Sequence, residues 1–316
     1  MNPGETIHVV LSIYDKTGEY SQHAGVTLAS VFANTDHAVC AHILHDETLS
    51  EDNRCKLQQV AAELGKSIEF HPVVLPESMS SVDYGVLTRG AVYRLMIPDV
   101  LSQDKAIYLD GDIVVDMDIA ELWAVDMAKR CVAVVRDLDR QYWGKAHWER
   151  VRHIGVSPEL YFNSGVIVMN LTLIRQKHNL LAELPAFLRE YPKATVVDQD
   201  YLNRLFFQDC VWLTERFNRF VAGWRGGWSS EGSSGAIWHW AGPDDKPWKG
   251  FVAPVDILYW RYLVLTPWYS QAEAGIGYFS AEVDRLTSSR SWKMTRPYRM
   301  AADWLRINAR RWLSRS

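Results

Sequence analysis

Four short apolar runs, separated by helical segments, constrain the first third of this chain more than any other feature. IHVVLSIY from Ile7, Ala38 to Leu44, SIEFHPVV from Ser67, and Ala106 to Leu109 read as strands. Gln22 to Phe32 reads as a helix ending near Asn34. Ser50 caps a second helix, with Glu51 and Asp52 in its first turn and Leu57, Val60, Ala61 and Leu64 on one face, and Gly65 ends it. Thr88 to Met96 reads as a third. Parallel neighbours need crossover connections, so this β-α-β-α order implies an α/β fold with a mostly parallel sheet flanked by helices. Strands at 132–135 and 165–170, and helices near 179–189 and 199–207, continue the pattern. In such sheets ligands bind at the carboxyl ends of strands.

The fourth strand ends in Asp110, Gly111 and Asp112. A one-residue spacing on a turning backbone points both carboxylates the same way. Gly111 permits a tight turn and leaves room for a ligand. Two adjacent carboxylates repel unless a cation sits between them, which points to a divalent metal.

Four further stretches carry chemistry. In AIWHWAGPDDKPWKG, His239 ends an apolar run and can complete a metal site with Asp110 and Asp112. One imidazole with two carboxylates suits Mn²⁺ better than Ca²⁺. Gly242 offers an unobstructed N–H and Lys246 a point charge, both suited to phosphate oxygens. In YFNSGVIVMN, Asn163 and Ser164 sit at the entry to a strand, as ligand groups or as a turn. In VVDQDYLN, Asp198, Gln199 and Asp200 start a helix, where acids also compensate the dipole. Arg94, between Tyr93 and Leu95, reads as a buried ion-pair partner or a diphosphate clamp.

In this order the five stretches resemble glycosyltransferase family 8, over roughly residues 7–250. The resemblance implies a GT-A (Rossmann-like) fold, and a retaining, Mn²⁺-dependent transfer of glucose or galactose from a UDP-sugar, with Mg²⁺ as second choice. The acceptor it implies is a saccharide or a lipid-linked glycan, as in lipopolysaccharide synthesis. It implies that Asp110, Asp112 and His239 hold the metal. Gly242 and Lys246 match phosphate contacts, and Arg94 a donor-binding position. Asn163 and Ser164 match the segment near the donor sugar, and Asp198 and Gln199 the motif on its reacting side. Gly111 belongs to the same donor site. Arg216, Phe217 and Asn218 also resemble a family segment.

The chain departs from the family twice. Three residues, Pro243, Asp244 and Asp245, separate Gly242 from Lys246 where the usual motif has two. The paired Asp often found after the first strand is replaced by Ile13, Tyr14, Asp15 and Lys16, which makes Ser12 and Asp15 the base and ribose candidates. Two other enzyme readings compete. One is a self-glucosylating primer like glycogenin. The other is a haloacid dehalogenase-like phosphatase using Asp110, whose motif also fits Asp112 and Val114.

With 316 residues the chain is long enough for a sizeable core. The expected organisation is a catalytic domain over 1–250 and a helical extension over 251–316. The formal charge of −4 conceals a basic end: residues 290–316 carry eight Arg and Lys against one Asp, leaving −11 for the rest. That excess of acid argues against nucleic-acid binding. From Thr295 onward Ala301, Trp304, Leu305, Ala309 and Trp312 share a helix face, with Arg299, Arg306 and Arg310 on another. Such a helix suits an anionic membrane surface, or packing on the parent domain with a solvated basic face. The four cysteines, Cys40, Cys55, Cys131 and Cys210, have no metal-ligand spacing and read as free thiols in a reducing cytoplasm. The N-terminus shows no secretory pattern and no window has the apolar length of a membrane span. The expected location is cytoplasmic, with peripheral contact to the inner membrane face through residues 295–316. Trp is frequent, 14 in all, which suits a sugar or nucleobase site as well as a core.

Overall fold

The structure, a computed structural model, describes residues 5–76, 79, 89–137, 144–221, 235–242, 246–249 and 254–269. The loop read at 222–235 (but for Gly235), the three residues between Gly242 and Lys246 and the basic tail lie outside them. Residues 1–267 make one compact unit. A second begins at Trp268, of which Trp268 and Tyr269 are described.

In chain order the strands are β1 (Ile7–Ile13), β2 (Val39–His45), β3 (Ser67–Pro72), β4 (Lys105–Leu109), β5 (Ile113–Asp116), β6 (Val132–Arg136), β7 (Phe162–Asn170), β8 (Cys210–Trp212), β9 (Arg219–Phe220) and β10 (Ala236–His239). The helices are α1 (Tyr20–Ala33), α2 (Glu51–Glu63), α3 (Arg89–Tyr93), α4 (Ile97–Val100), α5 (Ala120–Trp123), α6 (Lys145–His153), α7 (Leu171–Lys177), α8 (Leu180–Glu190), α9 (Val197–Phe206) and α10 (Ile257–Leu263). The expected capping holds. Ser50 Oγ accepts the Asn53 N–H, and Gly65 closes α2 at φ +65°. The helix expected up to Met96 is broken instead into α3, a tighter turn over Arg94–Met96, and α4.

The main sheet runs β3-β2-β1-β4-β7-β6-β8. It is parallel throughout except for β7, which is antiparallel to both β4 and β6. Its inner strands β1, β4 and β7 read as largely apolar runs because both faces are covered. Val9, Leu11, Ile107, Val134 and Ile167 are fully buried. A second sheet, β5-β10-β9, grows from the chain just after β4. The open edge of β5 meets α1, where one polar stripe satisfies it. Thr27 Oγ1 donates to Ile113 O (2.8 Å), Ser30 Oγ accepts from Val115 N (2.9 Å), and Asn34 Nδ2 donates to Val115 O (2.9 Å). Helix side chains thus replace a missing strand.

No helix among the described residues is long and apolar enough to cross a membrane.

Two buried imidazoles make the fold acid-sensitive. Burial pushes His23 down to about 3, and burial followed by the Arg150 charge pushes His147 down to about 3. Both bind protons in the unfolded chain near pH 6.5 while staying neutral in the fold. Stability is therefore complete above that pH and falls as pH drops toward the folded values. Urea unfolding should show a loss of about 1 kcal/mol per histidine between pH 6.5 and 5.5, reduced by His23→Phe. A flat profile there would contradict the neutral state of both rings.

Candidate active site

The two sheets meet at the end of β4, and that junction assembles the site. In the β4–β7 pairing Leu109 opposes Val166, so the next residue, Asp110, donates its N–H to Gly165 O (2.8 Å). In the second sheet His239 opposes Ile113 on one side and Phe220 on the other. Trp240 N donates to Asp112 O (3.1 Å). Asp110, Asp112, Gly165, His239 and Asn218, which precedes β9, therefore converge from four places in the chain.

Each carboxylate has one oxygen occupied by protein donors. Asp110 Oδ1 accepts from Arg94 Nη2 (2.9 Å) and Tyr108 OH (2.8 Å). Asp112 Oδ2 accepts from Lys246 Nζ. The other oxygens face inward. Asp112 Oδ1 is buried without a hydrogen-bond donor among the described residues, 3.2 Å from His239 Nε2. Asp110 Oδ2 lies 4.0 Å from the same nitrogen. Burial alone would raise the Asp112 carboxyl, but Lys246 and then His239 outweigh it together, and the group sits well below the usual carboxylate range.

The tautomer of His239 follows from one backbone group. Gly165 N–H can only donate, and it donates to Asn163 Oδ1 (2.8 Å). That fixes the Asn163 amide, so Asn218 reaches the same oxygen with its Nδ2 (2.9 Å). Asn218 Oδ1 is then left for His239 Nδ1 at 2.9 Å, and Nδ1 carries the proton. His239 Nε2 therefore presents a lone pair to two carboxylate oxygens. Three lone pairs, with donor atoms within 4.8 Å of one another, point at one spot. A divalent cation satisfies all three at once, and an imidazole with two carboxylates suits an ion of the Mn²⁺ or Zn²⁺ type.

Arg94 ties this cluster to the opposite wall. Its side chain is 5% exposed. Nη1 donates to Ser164 O (2.6 Å) and Oγ (2.9 Å), while Nε donates to Ala91 O and lies 3.0 Å from Asp198 Oδ2. The guanidinium stacks over Tyr108, 4.4 Å from the ring centre. Burial pushes the Asp198 carboxyl up in spite of Arg94, and its Oδ1 is buried without a hydrogen-bond donor among the described residues. Gln199 Oε1 accepts from Ser164 N (2.9 Å) and Asn163 Nδ2 (3.2 Å), and its Nε2 donates to Tyr161 OH (3.2 Å). Asn203 locks α9 onto β7 by donating to Phe162 O and accepting from Phe162 N, both at 2.8 Å.

The sequence profile of glycosyl transferase family 8 matches residues 11–251. The chain belongs to that family. General stress protein A of Bacillus subtilis (strain 168) is 28% identical over 290 residues, covering 85% of this chain and 96% of that protein. A putative glycosyltransferase of Haemophilus influenzae is 25% identical over 211 residues, or 65% of this chain and 62% of the other. Among solved structures, the galactosyltransferase LgtC in complex with donor and acceptor sugar analogues superimposes with a TM-score of 0.70 at 22% identity, over 84% of this chain and 99% of that one. The bifunctional glycosyltransferase WbbM gives 0.68 at 21% identity, over 86% and 52%. The fold is therefore the expected GT-A arrangement, and family 8 membership sets aside the phosphatase reading of Asp110.

Within this family 8 chain, Arg94, Asp110, Asp112, Asn163, Ser164, Asp198, Gln199, His239 and Lys246 form one hydrogen-bonded or ion-paired neighbourhood. Gly242 is buried near its rim. Beside Gly111 the expected ligand space is filled by Tyr20. Gly111 N lies 3.3 Å from the Tyr20 hydroxyl, and a Cβ there would sit 2.8 Å from it. Asp15 stands apart from the cluster. Its oxygens accept from Tyr20 N, Ser21 N and Oγ, and Asn53 Nδ2, so it anchors the start of α1. Ser12, at the end of β1, has a buried hydroxyl without a partner among the described residues. Asp200 is engaged by Arg150 and Tyr161 OH. Sequence reasoning passed over Tyr20, Tyr108, Gly165 and the contact of Asn218 with His239. Tyr108 could have been read, because strand alternation puts it on the Asp110 side.

Proposed function

We propose that this chain transfers a hexose, glucose or galactose, from a UDP-sugar to a saccharide or lipid-linked glycan with retention at the anomeric carbon. The observation that supports it most is the convergence of three unshared lone pairs from Asp110, Asp112 and His239 at the strand ends of a GT-A fold. These residues would hold Mn²⁺, or Mg²⁺ as second choice. The bound ion would supply electrostatic stabilisation of the leaving diphosphate.

The chain's own groups do the rest. The Lys246 ammonium, hydrogen-bonded to Asp112 and Trp240 O, would offer its charge to phosphate oxygens. Arg94 keeps Asp110 oriented. Asp198 Oδ1 is an unused buried acceptor suited to a sugar hydroxyl. Gln199 Oε1 already accepts from Ser164 and Asn163 and is a neutral amide, so it is poorly suited to attack carbon. That favours attack by the acceptor on the face the diphosphate leaves. The glycogenin-like alternative needs an acceptor tyrosine at the site, and no observation favours one. The membrane contact rests on the cationic, Trp-bearing pattern of residues 295–316, and it favours a lipid-linked acceptor.

The test is release of UDP by the full chain. UDP-glucose, UDP-galactose and their N-acetyl forms would be incubated with Mn²⁺, with Mg²⁺, or with chelator. Slow hydrolysis of one hexose donor, supported by Mn²⁺ and abolished by chelation, is expected. No release from any donor, with no UDP-induced thermal shift in Mn²⁺, would overturn the proposal.

A further inference from the structure

A second set of metal-type donors lies on one face of β1, β2 and β3, apart from the carboxylates at the end of β4. Register dictates it. His8 opposes Cys40, Cys40 opposes Ser67, His42 opposes Glu69, and Leu44 opposes His71. Alternation then sets His8, Cys40, His42, Glu69 and His71 on one side of three adjacent parallel strands. They form two overlapping triads, His8–Cys40–His42 and His42–Glu69–His71, each with donor atoms within 4.8 Å of one another.

The second triad has the dimensions of a coordination site. His42 Nδ1 lies 3.0 Å from His71 Nε2 and 3.4 Å from Glu69 Oε2, and the last two are 3.8 Å apart. Ligands about 2.0–2.1 Å from a tetrahedral ion stand roughly 3.3 Å from one another. The three separations scatter around that value, so the atoms outline one face of a tetrahedron. The Glu69 side chain is 57% exposed, so the triad lies at the protein surface on that side. His42 is fully buried, and its other nitrogen lies 3.0 Å from His8 Nδ1. When His42 Nε2–H donates to His8, Nδ1 is left as a lone pair aimed at Glu69 and His71. An outer acceptor fixing a ligand histidine's tautomer is the usual arrangement behind a zinc site, and His8 stands in that place here.

We propose that His42, Glu69 and His71 bind a divalent ion of the zinc type, with His8 orienting His42, and that the ion fastens the edge strand β3 to β2. All three imidazoles are neutral at pH 7. Burial pushes His42 down to about 4 and lowers His8 and His71. Glu69 supplies an oxygen ligand at the exposed edge. In the first triad burial raises the Cys40 thiol, and binding there would have to expel its proton. An ion that binds only the fold stabilises it in proportion to the logarithm of its concentration over Kd.

The test uses the full, untagged, metal-stripped chain carrying Asp112→Asn, which removes a carboxylate from the other cluster and leaves this one intact. Co²⁺ titration should give one bound ion with the intense visible absorption of a tetrahedral centre and no thiolate charge-transfer band. Zn²⁺ should displace it and raise the thermal midpoint. Glu69→Gln, at an exposed position that does not threaten folding, should weaken binding by more than about tenfold, and His71→Asn likewise. His8→Phe should weaken it by about 10–100-fold without changing the spectrum. No bound Co²⁺, or affinity unchanged in both Glu69→Gln and His71→Asn, would overturn the proposal and leave a metal-free chain of hydrogen-bonded imidazoles. A thiolate band abolished by Cys40→Ser would overturn it in favour of the other triad.

Discussion

Gly165→Ala is expected to abolish the UDP release proposed for this chain, while Gly144→Ala leaves it unchanged. A Cβ at Gly165 would lie 2.8 Å from Asp110 Oδ2 and 3.0 Å from Asn163 Oδ1, and closer still to the His239 ring. None of these neighbours can retreat. His239 is 2% exposed and held by Asn218. Asp110 is held by Arg94 and Tyr108. Asn163 accepts the N–H of residue 165 itself. A methyl group must therefore push apart the three groups that face one another across the site. Overpacking of this kind costs about 1–3 kcal/mol, and displacing reacting groups by an ångström costs about 100-fold in rate. At Gly144 a Cβ meets nothing within 4 Å. Steady-state UDP release and urea unfolding of both variants provide the check. An active Gly165→Ala enzyme of unchanged stability would show that the approach of β7 to His239 is looser than described.

How much of this was legible in the sequence depends on the range of each interaction. The strands that read correctly, β1, β2 and β4, are apolar runs whose burial follows from their own composition. Asp110, Asp112 and His239 were legible as a set, because two carboxylates at a strand end and one polar ring after an apolar run are local patterns. The second sheet was not. β9 has two residues and β10 four, and each exists only through its partners. Gly165 was read as the start of a strand, yet the need for glycine there comes from a ring 74 positions later in the chain. Gly111 shows the converse. Its lack of a side chain was legible, but the occupant of the space, Tyr20, was not, since nothing near Tyr20 announces a partner 91 residues away. The four hydrogen bonds that Asp15 accepts from the α1 start and α2 were not legible either, since one of them comes from Asn53, 38 residues away.

Arg94→Leu should destabilise the fold by about 3–5 kcal/mol and eliminate activity, because the side chain is the only described cation against two carboxylates, Asp110 and Asp198, on opposite walls of the site. Leucine would fill much of the volume but deprive Asp198, which is 1% exposed, and Ser164 O of the guanidinium. Arg94→Lys keeps the charge but not the fork. One ammonium cannot reach Asp110, Asp198 and Ser164 together, so an intermediate loss is expected. The pH dependence distinguishes a lost charge partner from lost packing. Without the guanidinium, the folded pKa of Asp198, already raised by burial, rises further above its unfolded value. A carboxyl raised in the fold favours the folded state below the unfolded pKa, and that advantage is lost as pH rises. The stability gap between Arg94→Leu and wild type should therefore narrow as pH falls from 7 toward 4. A gap that stays constant across that range would assign the loss to packing alone, and would remove the ionic link between the DGD turn and the start of α9.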